Sequence, residues 1–180
     1  ILCVDKTGTL TLNHMTVAAV RPDSDRRTII EFAMLASKPE PFDPMERAFL
    51  ESAVELGIRP PSDRDWELSH EYPMSNEFPA MAHGWRTSGE DLCVVALKGA
   101  PEAVVPLCTL GAEERSAVLR QVDLLALEGL RVLAVARSEH PAPTLPESPR
   151  ALSWQFLGLV GLRDPVRPGV PDAIRECFAA

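Results

Sequence analysis

The sequence predicts an α/β chain in which an antiparallel-sheet α+β unit is inserted into part of an open α/β domain. Three observations predict it. The two ends share one pattern, an apolar strand followed by a polar turn and a helix. The middle instead reads as successive strands separated by turn residues, as in an antiparallel meander. The 180 residues are 46% hydrophobic, enough to bury a core. The division that follows is 1–19, 20–155 and 156–180, with the middle unit the inserted one.

Taken in order, Ile1-Leu2-Cys3-Val4 reads as a short buried strand, and residues 14–20 as a second strand closed by a turn at Pro22 to Asp25. Apolar spacing over Thr28 to Ser37 predicts a helix, which the two prolines of residues 38–42 end. Asp43-Pro44-Met45-Glu46 then carries the marks of a helix start: Asp as N-cap, Pro at the first position and Glu at the third. That helix runs to about Leu56, with Gly57 as its stop. Residues 66–74, 78–86 and 91–98 are the meander strands. Pro101 to Leu107 and Glu113 to Leu127 read as helices, the second stopped by Gly129. Arg131 to Arg137 is a strand, His140 to Pro149 a loop with four prolines, and Phe156 to Leu162 a buried strand. A last helix starts near Gly169.

Composition narrows the function classes. Eighteen Lys and Arg against 26 Asp and Glu give a net charge of −8, and no clustered basic face of the kind that releases counterions is visible, so nucleic acid is not an expected partner. Cysteines at 3, 93, 108 and 177 have no metal-ligand spacing, which fits a reduced compartment. No run approaches the ~18 apolar residues of a membrane span, so the segment reads as soluble. A start without methionine, directly on an apolar run, reads as an excerpt from a longer polypeptide. Of the 18 basic residues only Lys6, Lys38 and Lys98 are lysine; a compositional bias toward Arg accounts for the ratio, and under it each surviving lysine is a candidate for a place where a compact ammonium is wanted over a planar guanidinium.

The string that carries chemistry is Asp5-Lys6-Thr7-Gly8-Thr9-Leu10-Thr11, set just after the first strand. A carboxylate at the carboxyl end of a strand can attack a phosphoryl group and become an acyl phosphate. Lys6 offsets charge, while the Thr hydroxyls and turn amides can hold phosphate oxygens. An ordinary strand-to-helix turn would account for the glycine and one threonine only.

This string resembles the phosphorylation signature of the P-type ATPases, membrane ion pumps of the haloacid-dehalogenase-like superfamily, whose phosphorylation domain is Rossmann-like. The resemblance implies that Asp5 is phosphorylated, that Thr7 lends a backbone carbonyl to Mg2+ beside the Asp5 carboxylate, and that Thr9 contacts the transferred phosphoryl group. Superfamily phosphatases usually place a second Asp where this chain has Thr7, so slow acyl-phosphate hydrolysis is expected. Further motifs follow in family order. Lys98-Gly99-Ala100-Pro101-Glu102 resembles the string whose lysine lines the adenine pocket, and Asp43-Pro44-Met45-Glu46 the segment whose Glu contacts adenine. A capping role for Glu46 is the equal alternative. Gly129-Leu130-Arg131-Val132-Leu133-Ala134 implies that Arg131 approaches the phosphates. Phe156 to Arg167 resembles the return to the phosphorylation domain, with Asp164 and Arg167 stabilising the hinge and the nucleotide pose.

The chain also departs from the pattern. Aligned on Met81, Met74 occupies the position where relatives stack an aromatic on adenine, and no Lys or Arg stands nearby, which implies weak, loosely selective nucleotide binding. Ser138-Glu139-His140-Pro141 reproduces a heavy-metal-pump string but falls at the start of the proline-rich loop, out of context. His70 and His83 read as surface or strand residues rather than metal ligands. The resemblance thus implies the ATP-binding and phosphorylation segment of a cation-transporting, calcium-pump-like ATPase. Its parent would be membrane-embedded, with this segment on the cytoplasmic face. ATP and Mg2+ are the implied ligands, and the remaining phosphorylation, actuator and transmembrane domains the implied partners. A regulatory nucleotide-binding module and a phosphatase are the alternatives.

Overall fold

The computed structural model describes residues 3–87, 92–141 and 144–179. Their centre is one six-stranded sheet, antiparallel throughout, in the order β1-β6-β5-β4-β3-β2. The strands are β1 (Thr16–Arg21), β2 (Trp66–Tyr72), β3 (Ala80–Thr87), β4 (Leu92–Gly99), β5 (Arg131–Pro141) and β6 (Gln155–Arg163). The meander expected for β2, β3 and β4 is present, and β5 and β6 extend it.

Alternation along the strands gives each face its own core. On one face α1 (Arg26–Leu35) and α2 (Pro44–Glu55) bury Ile29, Ile30 and Phe49 against Trp85, Ala96, Val135 and Val160. On the other, α3 (Pro101–Val104) and α4 (Ala112–Leu127) cover Val95, Leu97, Ala134 and Trp154. The α2 start is built as its sequence predicts. Pro44 opens the helix, and Asp43 Oδ1 accepts from the amides of Met45 at 2.8 Å and Glu46 at 3.4 Å. Gly57 and Gly129, at φ of +64° and +75°, follow the ends of α2 and α4, a conformation that costs a side chain strain. A last helix, α5 (Val170–Ala179), follows β6.

Three elements differ from expectation. Cys3 and Val4 are exposed and pair with none of the six strands, and Ile1 and Leu2 lie outside the described residues. A strand needs a hydrogen-bonded neighbour, and the sheet offers these residues none. The helix expected over 101–107 tightens to a 3-10 turn at Val105–Leu107, where Pro106 lacks the amide an α-helix would use. Finally, β5 runs on through Ser138 to Pro141 instead of yielding to a loop, because β4 pairs with it as far as Leu92↔Pro141.

The expected divisions at 19/20 and 155/156 fall across this sheet. β1 spans the first, and β6, which lies between β1 and β5, begins at the second. Residues 16–21 and 155–163 are strands of the same layer as the middle unit.

Candidate nucleotide site

Lys98 lies near the end of β4, opposite Met81 on β3, and its side chain enters the face covered by α1 and α2. There Nζ donates to Glu46 Oε1 at 2.9 Å and, at closer range, to Ser37 Oγ; the Phe49 ring centroid is 5.2 Å away. Only 5% of the Lys98 side chain and 9% of that of Glu46 are exposed. Burial lowers the Lys98 pKa to about 8, against the opposing pull of the Glu46 carboxylate and, further off, of Asp43. The Glu46 carboxylate is thus turned to a cation on another element, while Asp43 caps the start of its helix.

Gly99, next along, is fixed by packing: a Cβ there would stand 2.3 Å from Ala80 Cβ and 2.4 Å from Ala80 Cα. Met74 sits between β2 and β3 and is 63% exposed, a free apolar side chain able to lie against a flat ligand. His83 shares the Lys98 face of the sheet. It is 2% exposed, with Nε2 at 3.7 Å from Glu71, and among the described residues its Nδ1 has no hydrogen-bond partner. Burial lowers its pKa, assisted by the Lys98 charge and opposed by Glu71, the Leu35 carbonyl and Glu46, so it is held neutral. Sequence reasoning placed His83 in a strand, but gave no sign of its contact with this cluster or of the part played by Ser37.

The other expected residues lie elsewhere. Arg131, exposed at the start of β5, lines a cleft of about 1080 Å³ together with Leu10, Asp43, Gly129, Asp164 and Ile174. Asp164 and Arg167 bond to the loop of residues 8–14. Asp164 accepts from Thr11 Oγ1 at 2.6 Å and from the His14 amide at 3.2 Å. Arg167 donates from Nη2 to the Gly8 carbonyl at 3.0 Å and from its amide to the Leu10 carbonyl at 2.9 Å. Beyond that loop, His14 Nε2 lies 3.2 Å from Glu51 on α2. Asp5 and Thr9 are exposed, Lys6–Leu10 form one wide helical turn, and the side chains of Lys6 and Thr7 lie outside the described ones.

The structure therefore assembles two groups, Lys98 with Glu46 in the sheet face and Asp164 and Arg167 around residues 8–14, with Arg131 in the cleft beside the second. Among the described residues no set of three or more His, Cys, Asp and Glu side chains could hold a metal, and no helix is long and apolar enough to cross a membrane.

Comparison with known proteins bears on both groups. The sequence profile described as P-type ATPase, cytoplasmic domain N, matches residues 42–169. A putative cation-transporting ATPase of Methanocaldococcus jannaschii is 32% identical over 181 residues, covering 98% of this chain and 20% of its own length. A plasma membrane-type calcium-transporting ATPase of Oryza sativa subsp. japonica is 27% identical over 226 residues, covering 99% of this chain and 21% of its own. The chain spans about a fifth of the length of these relatives. The matched region takes in α2, Lys98 and Arg131 and all six strands but β1, so that this chain belongs to the P-type ATPases and carries their cytoplasmic domain N.

Proposed function

We propose that this chain is the ATP-binding and phosphorylation segment of a cation-transporting P-type ATPase. The purine rests near Lys98, Gly99, Glu46 and Met74, the phosphates run toward Arg131, and Asp5 is the phosphoryl acceptor. The observation that carries the reading is the buried Lys98–Glu46 pair. Two charges that could have been replaced by apolar side chains are kept between the end of β4 and the first turn of α2 in the matched domain, where burial makes them costly. Ionisable groups held out of water in this way are candidates for binding work.

In the transfer step an Asp5 carboxylate oxygen bonds to the γ-phosphorus as the bond from that phosphorus to the ADP oxygen breaks, leaving an aspartyl phosphate and ADP. Lys6 offsets charge and Thr9 holds a transferred oxygen. Asp164 and Arg167 support the reading because their bonds to Thr11, His14, Gly8 and Leu10 fix the loop that follows Asp5. The Asp5 carboxylate and the Thr7 carbonyl supply two hard oxygen ligands, a partial shell that fits Mg2+ arriving with nucleotide phosphates and completed by them and by water. Bound there, Mg2+ would neutralise charge on the phosphate oxygens.

The flanks of the domain, residues before β1 and after β6, belong in this reading to a haloacid-dehalogenase-like phosphorylation domain into which the sheet unit is inserted. Residues 1–19 and 156–180, taken as its parts, then share β1 and β6 with the domain N sheet. The parent is a membrane protein with this segment on its cytoplasmic side, working with its own actuator and transmembrane domains. Incubation of the parent with γ-labelled ATP should give an acid-stable label that Asp5→Asn abolishes. An unlabelled parent that still binds ATP would leave a nucleotide-binding module, and turnover of phosphate esters by this chain a phosphatase.

A further inference from the structure

Ser37 stands in none of the sequence motifs, yet it is buried, and its hydroxyl meets the Lys98 ammonium from 61 residues away. Its own geometry leaves it little choice. The Ser37 amide donates to the Met34 carbonyl at 2.8 Å, and Oγ donates its proton to the Ala33 carbonyl at 2.8 Å. With the proton committed to α1, the lone pairs of Oγ face Lys98, whose ammonium has donors and no acceptor. The hydroxyl also sits at the C-terminal end of α1, the negative end of the helix dipole, which favours a cation.

We infer that Ser37 is a positioning residue for the nucleotide: together with Glu46 it holds the Lys98 ammonium charged and in one orientation beside the purine subsite. The inference rests on the reading of Lys98 as a nucleotide ligand. A serine needed only to finish a helix would bond back to Ala33 and nothing else. Here the same oxygen joins α1 to β4, while Glu46 joins α2 to β4. Among the described residues the groups that act on the ammonium are Ser37 at the end of α1, Glu46 and the Phe49 ring from α2, and, through charge alone, Asp43 at the α2 cap and His83 on β3. A bond donated to Oγ favours the protonated amine, so its loss lets burial drive the Lys98 titration lower still.

The 180-residue chain has three lysines, which makes the test direct. Each lysine is trace-labelled with an amine-reactive reagent across pH and quantified by peptide mass spectrometry, and Mg-ATP affinity is titrated for wild type, Ser37→Ala, Ser37→Thr and Lys98→Met. Ser37→Ala should move the Lys98 midpoint down by about half a pH unit, a ~3-fold rise in reactive amine below the midpoint. It should also weaken Mg-ATP several-fold, with exposed Lys38 unchanged and Ser37→Thr restoring both. An unmoved Lys98 midpoint, or Mg-ATP affinity intact in Ser37→Ala but lost in Lys98→Met, overturns the inference. Mg-ATP affinity unaffected by Lys98→Met overturns instead the underlying reading of Lys98.

Discussion

Glu46 Oε1 lies 2.9 Å from Lys98 Nζ across the gap between α2 and β4, with both side chains more than nine-tenths buried. Removing one partner leaves the other charge in the core without compensation, so Glu46→Ala should cost about 3–5 kcal/mol in urea unfolding. The double substitution Glu46→Leu with Lys98→Met takes out both charges and keeps apolar volume. It should recover most of that loss, because the pair is costly to desolvate. A double variant as unstable as the sum of the single ones would mean that the pair itself drives folding.

The same burial makes stability depend on pH in two windows. Lys98 has its folded pKa lowered to about 8 from 10.5, so between those values the unfolded chain binds more protons and stability rises with pH. The rise should be about 1 kcal/mol from pH 8 to 9 and absent in Lys98→Met. Above pH 9 the buried Cys108 thiol, raised to about 11, works the other way, since the unfolded thiol ionises first. His83 is also lowered, from 6.5, so its contribution is present above that pH and is lost as pH falls through it. Thermal melts of His83→Phe should show a flatter acid limb than wild type.

Gly99 and Gly57 separate two reasons for a glycine. At Gly99 a Cβ would meet Ala80 Cα at 2.4 Å and the Pro79 carbonyl at 2.7 Å, backbone atoms at and just before the start of the paired strand that cannot rotate away. Gly99→Ala should therefore cost at least about 1–3 kcal/mol and disturb the neighbouring Lys98 cluster. At Gly57 nothing stands within 4 Å and only φ of +64° is unfavourable, so Gly57→Ala should cost about 1 kcal/mol with nucleotide binding intact. Urea midpoints together with Mg-ATP titrations on the two variants distinguish a packing glycine from a conformational one.

Local chemistry was legible in the sequence wherever a single residue decides it. Asp43 and Pro44 begin α2, Gly57 and Gly129 end helices, and the turn residues between 66–74, 78–86 and 91–98 lay out the meander. What sequence spacing does not carry is which distant residues meet. The extension of β5 through Pro141 depends on β4 as a partner, and the equal choice between capping and adenine contact for Glu46 left out the ion pair that the structure makes. Ser37 and His83 were unreadable for the same reason, since their significance lies in facing Lys98 across the sheet and helix layers. The resemblance implies a hinge and nucleotide role for Asp164 and Arg167, and spacing gives no sign of the hydrogen bonds they make to residues 8–14 of the loop.

Met74 offers the most direct gain of function. It is 63% exposed between β2 and β3, so a larger side chain at this position displaces solvent and not the core. A thioether touches a purine through dispersion alone, whereas a phenyl ring adds an offset-stacked face. Base–aromatic stacking is worth about 1–3 kcal/mol per base, and solvent exposure at this position favours the lower end. Met74→Phe should then bind ATP about fivefold more tightly than wild type, with the urea midpoint unchanged. The gain should extend to GTP as well, because every purine presents a flat face, and it should vanish for a triphosphate lacking the base. Equal ATP affinities in the two proteins would place the purine away from residue 74 and remove the reason for expecting weak binding in the native chain.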